Sequence, residues 1–152
     1  MGQYNRGNRN SQQGRDRGSQ HRDNRSPTKV EPLDPKVITE GGKILVETAD
    51  ALGRELNNIQ PDREKLSTSQ IRNIYGAVKK MQMKGGLDPH KLLMLKPKLA
   101  YAAKRHGKGV NMLKEILTRA IDTVEDDPAN FDRFVDFFEA ILAYHRAYGG
   151  SE

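Results

Sequence analysis

Ten basic side chains crowd residues 68–108 of this 152-residue chain: Arg72, Lys79, Lys80, Lys84, Lys91, Lys96, Lys98, Lys104, Arg105 and Lys108, against Asp88 alone. That stretch carries +9, whereas residues 1–33 carry +4, residues 34–67 carry −2 and residues 109–152 carry −5. Helical surfaces ordinarily interleave the two signs, so an excess of this size points to a polyanionic partner. The chemistry is charge neutralisation. Each lysine or arginine set against a phosphate releases condensed counterions, with a salt slope of about −0.7 per contact on a single strand. Few aromatics accompany the lysines, which favours contact with the backbone over reading of base edges. Tyr101, between Lys98 and Lys104, is placed either to stack on a base or to fill the rim of the core. A second reading of the stretch stays open: a solvated basic face that pairs with the acidic C-terminal helices.

Other chemistry is sparse. The four histidines, His21, His90, His106 and His145, fall in separate segments, and none has a partner at metal-ligand spacing. There is no cysteine, hence no disulfide framework and no thiolate site. Asp122, Glu125, Asp126 and Asp127 form an acidic cluster, but Asp127 precedes Pro128 and reads as a helix cap, and its neighbours read as solvated. Gly85-Gly86 and Gly107–Gly109 lack the pattern and the preceding strand of a phosphate-binding loop. The chain is expected to hold no metal or cofactor and to be no enzyme.

The elements that must position the basic residues read as helices throughout, an all-α bundle of about five. Residues 1–29 contain only Met1 and Tyr4 as sizeable apolar side chains, too little burial to offset the entropy of ordering them. Residues 1–33 are therefore expected to be a disordered tail, rich in Arg, Gly, Asn and Gln, and residues 34–149 a single helical domain. Asp34-Pro35 opens the first helix as cap and first-turn proline, and Gly41-Gly42 breaks it early. The pattern resumes at Lys43 and ends by Pro61. Ser67 and Gln70 have capping-box spacing and start a second helix, which buries Ile71, Ile74, Tyr75, Val78 and Met81 and turns Arg72, Lys79, Lys80 and Lys84 outward. Asp88-Pro89 starts a short turn or kinked helix. Pro97 cannot occupy a helix interior, so the main third helix starts near Lys96-Pro97. On it Lys98 and Arg105 share a face, as do Tyr101, Lys104 and Lys108, until Gly107 and Gly109 close it. The fourth helix, from Val110 to Glu125, repeats apolar residues at strict helical spacing. The fifth, after Asp127-Pro128, shows a stripe of Phe131, Phe134, Val135, Phe138, Ile141, Leu142 and His145, widened by Phe137, Tyr144 and Tyr148. Such a wide stripe suits either a central buried helix or a docking face for another protein. No apolar run approaches membrane-spanning length and no signal-peptide pattern opens the chain, so a soluble cytoplasmic protein is expected.

Three motifs carry a resemblance: Leu66-Ser67-Thr68-Ser69-Gln70-Ile71-Arg72, then Leu95-Lys96-Pro97-Lys98-Leu99-Ala100-Tyr101-Ala102-Ala103, then Phe131-Asp132-Arg133-Phe134-Val135-Asp136-Phe137-Phe138-Glu139-Ala140 with Tyr144-His145. In order and spacing, over residues 34–149, they resemble the small subunit of the type III-A CRISPR effector, the Csm complex. The Arg-rich tail is not part of that pattern. The resemblance implies a helical, non-catalytic subunit that associates with itself in several stacked copies and with other Csm subunits, and that supports crRNA and target RNA. It carries RNA contact to Arg72, Lys96 and Lys98. Lys79, Lys80, Lys84, Lys104, Arg105 and Lys108 join the candidate site on charge and helix face alone. Two alternatives remain: the small subunit of the related type III-B complex, and a helical protein–protein adaptor without direct RNA binding.

Overall fold

A computed structural model of the chain describes residues 32–149. The expected disordered tail lies, up to Glu31, outside the described residues. Seven helices form among them: α1 (Lys36–Thr39), α2 (Lys43–Asn57), α3 (Thr68–Met83), α4 (Pro89–Leu93), α5 (Leu95–His106), α6 (Lys108–Val124) and α7 (Pro128–Ala147), with a single 3-10 turn at Asp62–Glu64 between α2 and α3. No strand forms among the described residues. The all-α reading stands. The first expected helix comes as two pieces because of the break at Gly41-Gly42, and the kinked third comes as α4 and α5.

The helix starts follow from backbone groups that lack partners in a first turn. Asp34 accepts from the Lys36 amide at 3.0 Å, and Pro35 sits where a missing N–H costs nothing. Ser67 and Gln70 complete the capping box, with Gln70 N donating to Ser67 Oγ at 3.4 Å and Ser67 N donating to Gln70 Oε1 at 3.2 Å. Asp88 accepts from Lys91 N at 3.2 Å, and Asp127 accepts from Ala129 N at 2.9 Å. Pro97 is the third residue of α5, within the first turn, where it removes no helical hydrogen bond.

The core gathers around α7, which packs against α1, α2, α3 and α6. Phe131, Phe134, Phe137, Phe138 and Ile141 are all buried. Most of the wide aromatic stripe is consumed inside the chain: Phe137 is fully covered and Tyr144 half-buried, while Tyr148 at the end of the helix stays 40% exposed, and Tyr75 of α3 meets Phe138 with ring centroids 5.4 Å apart. Two polar ties fix the frame. Arg133 on α7 donates to the Ile38 carbonyl at 2.6 Å and to Asn130 at 2.9 Å, and Asn57 on α2 donates to the His145 carbonyl at 2.7 Å. The α2–α7 crossing is close because Gly53 sits in it. A Cβ there would lie 2.6 Å from Tyr144 Cβ and 2.8 Å from His145 N. At the other end, α5 and α6 pack together and α4 lies beside α5. Gly107, with φ of +90°, makes the turn between α5 and α6, while Gly109, expected to close a helix, lies buried inside α6 against Leu66.

Candidate nucleic-acid interface

The helix period separates the basic residues before any tertiary contact does. Successive side chains step about 100° around the axis, so residues four apart stay on one side and residues two apart point to nearly opposite sides. Lys80 and Lys84 therefore stand together on α3, whereas Lys96 and Lys98 on α5 part company.

Tertiary packing then decides what each side faces. A groove of about 600 Å³ opens where the C-terminal half of α3 meets α4 and the start of α5. Its rim holds Lys80, Lys84, Lys91 and Lys98 together with His90, and its walls include Ala77, Met81, Met94 and Leu95. Among the described residues no carboxylate lies within ion-pair distance of these four lysines. Asp88, the one acid in this stretch, is engaged as the cap of α4. Beyond the groove, α5 continues the basic surface. Tyr101 is 65% exposed, the Arg105 guanidinium lies 5.7 Å from its ring centroid, and Lys104 is exposed beside them. Arg72 is also exposed, about two helical turns before Lys80.

Three of the nominated residues are turned elsewhere. Lys96 forms an ion pair with Asp122 of α6. Lys108 follows the turn at Gly107 and so leaves the Tyr101–Lys104 face on which the sequence spacing set it; its ammonium lies 3.4 Å from the Glu64 carboxylate and donates to the Gln60 carbonyl at 3.5 Å. Lys79 is half-buried rather than outward and donates to Gln82 at 3.3 Å, while Gln82 donates to Asp132 of α7 at 3.3 Å. Lys79 thus belongs to the seam between α3 and α7. Its charge also reaches Asp136 there: burial and the like charges of Glu139 and Asp132 hold the Asp136 carboxyl above its usual range, and Lys79 partly offsets them.

Two further clefts differ in chemistry. One of about 520 Å³, between α7 and the α1–α2 break, is lined by three acids, Glu40, Asp136 and Glu139, against Arg133 alone, an excess of carboxyl groups that disfavours a phosphate chain. The other, about 240 Å³, is lined by groups such as Ser69, Gln70 and Asn73, with no lysine or arginine. Asp122 is engaged by Lys96 and Asp127 caps α7, and among the described residues no group of three or more histidines and carboxylates is disposed to hold a metal ion. No described helix is long and apolar enough to cross a membrane.

Lys91, which the sequence reading did not nominate, lines the groove together with Met81, Met94 and His90. Lys91 was visible only as one charge among ten. Nothing local signals that α4 folds back beside the end of α3.

The family model for Csm2 Type III-A matches residues 39–151, which spans α2 to α7 and takes in all three resembling motifs. The chain belongs to the Csm2 Type III-A family. Neither a curated protein nor a solved structure matches it. Membership of the Csm2 family makes this chain a small structural subunit of the type III-A CRISPR effector, and decides for type III-A over the type III-B alternative. The same membership places it in a multi-subunit assembly with other Csm proteins.

Proposed function

We propose that this Csm2-family chain is a non-catalytic, cytoplasmic subunit that holds crRNA and target RNA by their phosphates, through the groove of Lys80, Lys84, Lys91 and Lys98 and the adjoining α5 surface of Lys104 and Arg105, with Arg72 as an outlying contact. Residues 34–149 act as one domain, and several copies stack along the complex. One observation carries the reading: four lysines from three helices converge on a single groove with no carboxylate paired to them among the described residues. Gathering like charges without partners opposes folding, and a polyanion relieves it by replacing the counterions. Backbone contact suits a subunit of a guide-directed complex, because base pairing with the guide supplies the sequence specificity and the protein has only to support the strand.

The test is binding of the purified chain to single-stranded RNA over a salt series. Weak binding that falls steeply with salt is expected. The triple change Lys80→Ala, Lys84→Ala, Lys98→Ala should flatten the log–log slope by about two, at about 0.7 per lost contact. The pair Lys96→Ala, Lys108→Ala, whose cations already face carboxylates, should change it far less. Equal binding by the triple variant and the parent would remove the groove from the site.

A further inference from the structure

The groove is built for more than phosphate. A surface that only tracks a backbone needs cations in water and no floor. Here the lysines rim a depression whose walls are the side chains of Ala77, Met81, Met94 and Leu95, with Met94 45% exposed. A thioether is polarisable and flexible, and a methionine wall accepts a flat aromatic ring of any substitution pattern. Lys98, on the groove rim, is three residues from Tyr101 and seven from Arg105, so all three lie along one side of α5. Tyr101 is 65% exposed with the Arg105 guanidinium over one face of its ring, so a base stacking on the other face would complete a sandwich of base, ring and cation.

Resting on the backbone-binding reading above, we infer that this same site takes an unpaired stretch of nucleic acid: one base enters the methionine-walled groove, a nearby base stacks on Tyr101, and the intervening phosphates lie on Lys98 and its neighbours. A closed duplex keeps its bases stacked on each other and presents only phosphates and groove edges, so it cannot use either apolar feature. Neither Met nor Tyr reads base identity, which makes the preference one for unpaired over paired strands and not for a sequence.

The experiment measures binding of the full chain to three labelled probes of equal length: a mixed-sequence single-stranded RNA, the same RNA annealed to its complement, and an abasic strand of the same backbone. The single strand is expected to bind about fifty-fold more tightly than either of the others, the product of two base contacts. Met94→Ala and Tyr101→Ala, both at exposed positions, should each cost about five- to ten-fold on the single strand with the salt slope unchanged, and Tyr101→Phe should restore binding. Equal affinity for all three probes overturns the base-binding inference and leaves the phosphate contact standing. Absence of salt-dependent binding to every probe overturns the reading beneath it as well. Should the Met94 and Tyr101 changes leave RNA binding intact but release the chain from a reconstituted complex, the groove serves an acidic segment of a partner subunit, and the inference also fails.

Discussion

Lys96 and Lys98 are two residues apart, belong to one motif, and do different work: the first is tied to Asp122, the second stands on the rim of the groove. An exposed ion pair is worth only about 0–1 kcal/mol, so Lys96 is held loosely, yet its charge is already compensated where Lys98's is not. Comparing Lys96→Ala with Lys98→Ala should therefore show the larger loss of salt-dependent RNA affinity at Lys98, by about two-fold or more for one lost phosphate contact. His145 shows a different residue-scale effect. It is fully buried in α7, and among the described groups no hydrogen-bond partner reaches either ring nitrogen. Burial pushes its pKa below the ordinary value, and backbone of Leu66 nearby only partly opposes this. The folded chain thus resists a proton that the unfolded chain accepts near pH 6.5. The stability from keeping His145 neutral is complete above that pH and declines as the pH falls below it. Thermal unfolding between pH 7.5 and 5 should show a falling midpoint, and His145→Leu should flatten that trend; an equally steep trend in the variant would assign it to other groups.

At the scale of elements, helix starts were legible because they depend on neighbours in the chain. The Ser67–Gln70 box, the Asp-Pro starts of α4 and α7, and the break at Gly41-Gly42 all form where local chemistry demands. The width of the α7 stripe was ambiguous, since burial inside the chain and burial against a partner leave the same pattern. The packing of α7 against four other helices buries the phenylalanines of the stripe and leaves Tyr148 exposed at its end. Gly53 was not legible at all, because a glycine inside a helix looks like a defect until the crossing helix is in place. Alanine there would favour helix by about 1 kcal/mol, but its Cβ would collide with the Tyr144 Cβ and the His145 backbone. The collision wins: Gly53→Ala should destabilise the chain by about 1–3 kcal/mol in a denaturant titration. A stabilised variant would show that α2 and α7 separate easily.

For the whole molecule, the charge segregation seen in the sequence becomes a segregation of surfaces. The +9 stretch supplies α3, α4 and α5 and their groove, and acidic residues rim the cleft where α7 meets α1–α2. On the reading proposed above, RNA meets the basic groove and not the acidic cleft. Residues 1–29 carry only Met1 and Tyr4 as sizeable apolar side chains, which predicts that deleting them leaves the melting temperature nearly unchanged in calorimetry. A fall of many degrees would show that the tail docks on the bundle. The sequence alone determined the all-α class, the helix starts, the excess of basic charge and, through three motifs, the Csm2 family, because each depends on spacing along the chain or on order of residues. Only the tertiary structure decided which cations act together. Lys80, Lys84, Lys91 and Lys98 converge because α4 and the start of α5 line one groove with the end of α3, while Lys96 and Lys108 are drawn toward carboxylates far away in sequence and Lys79 bonds Gln82 at the seam with α7. Charge is carried by composition, but its availability to a partner depends on which neighbours packing brings within reach.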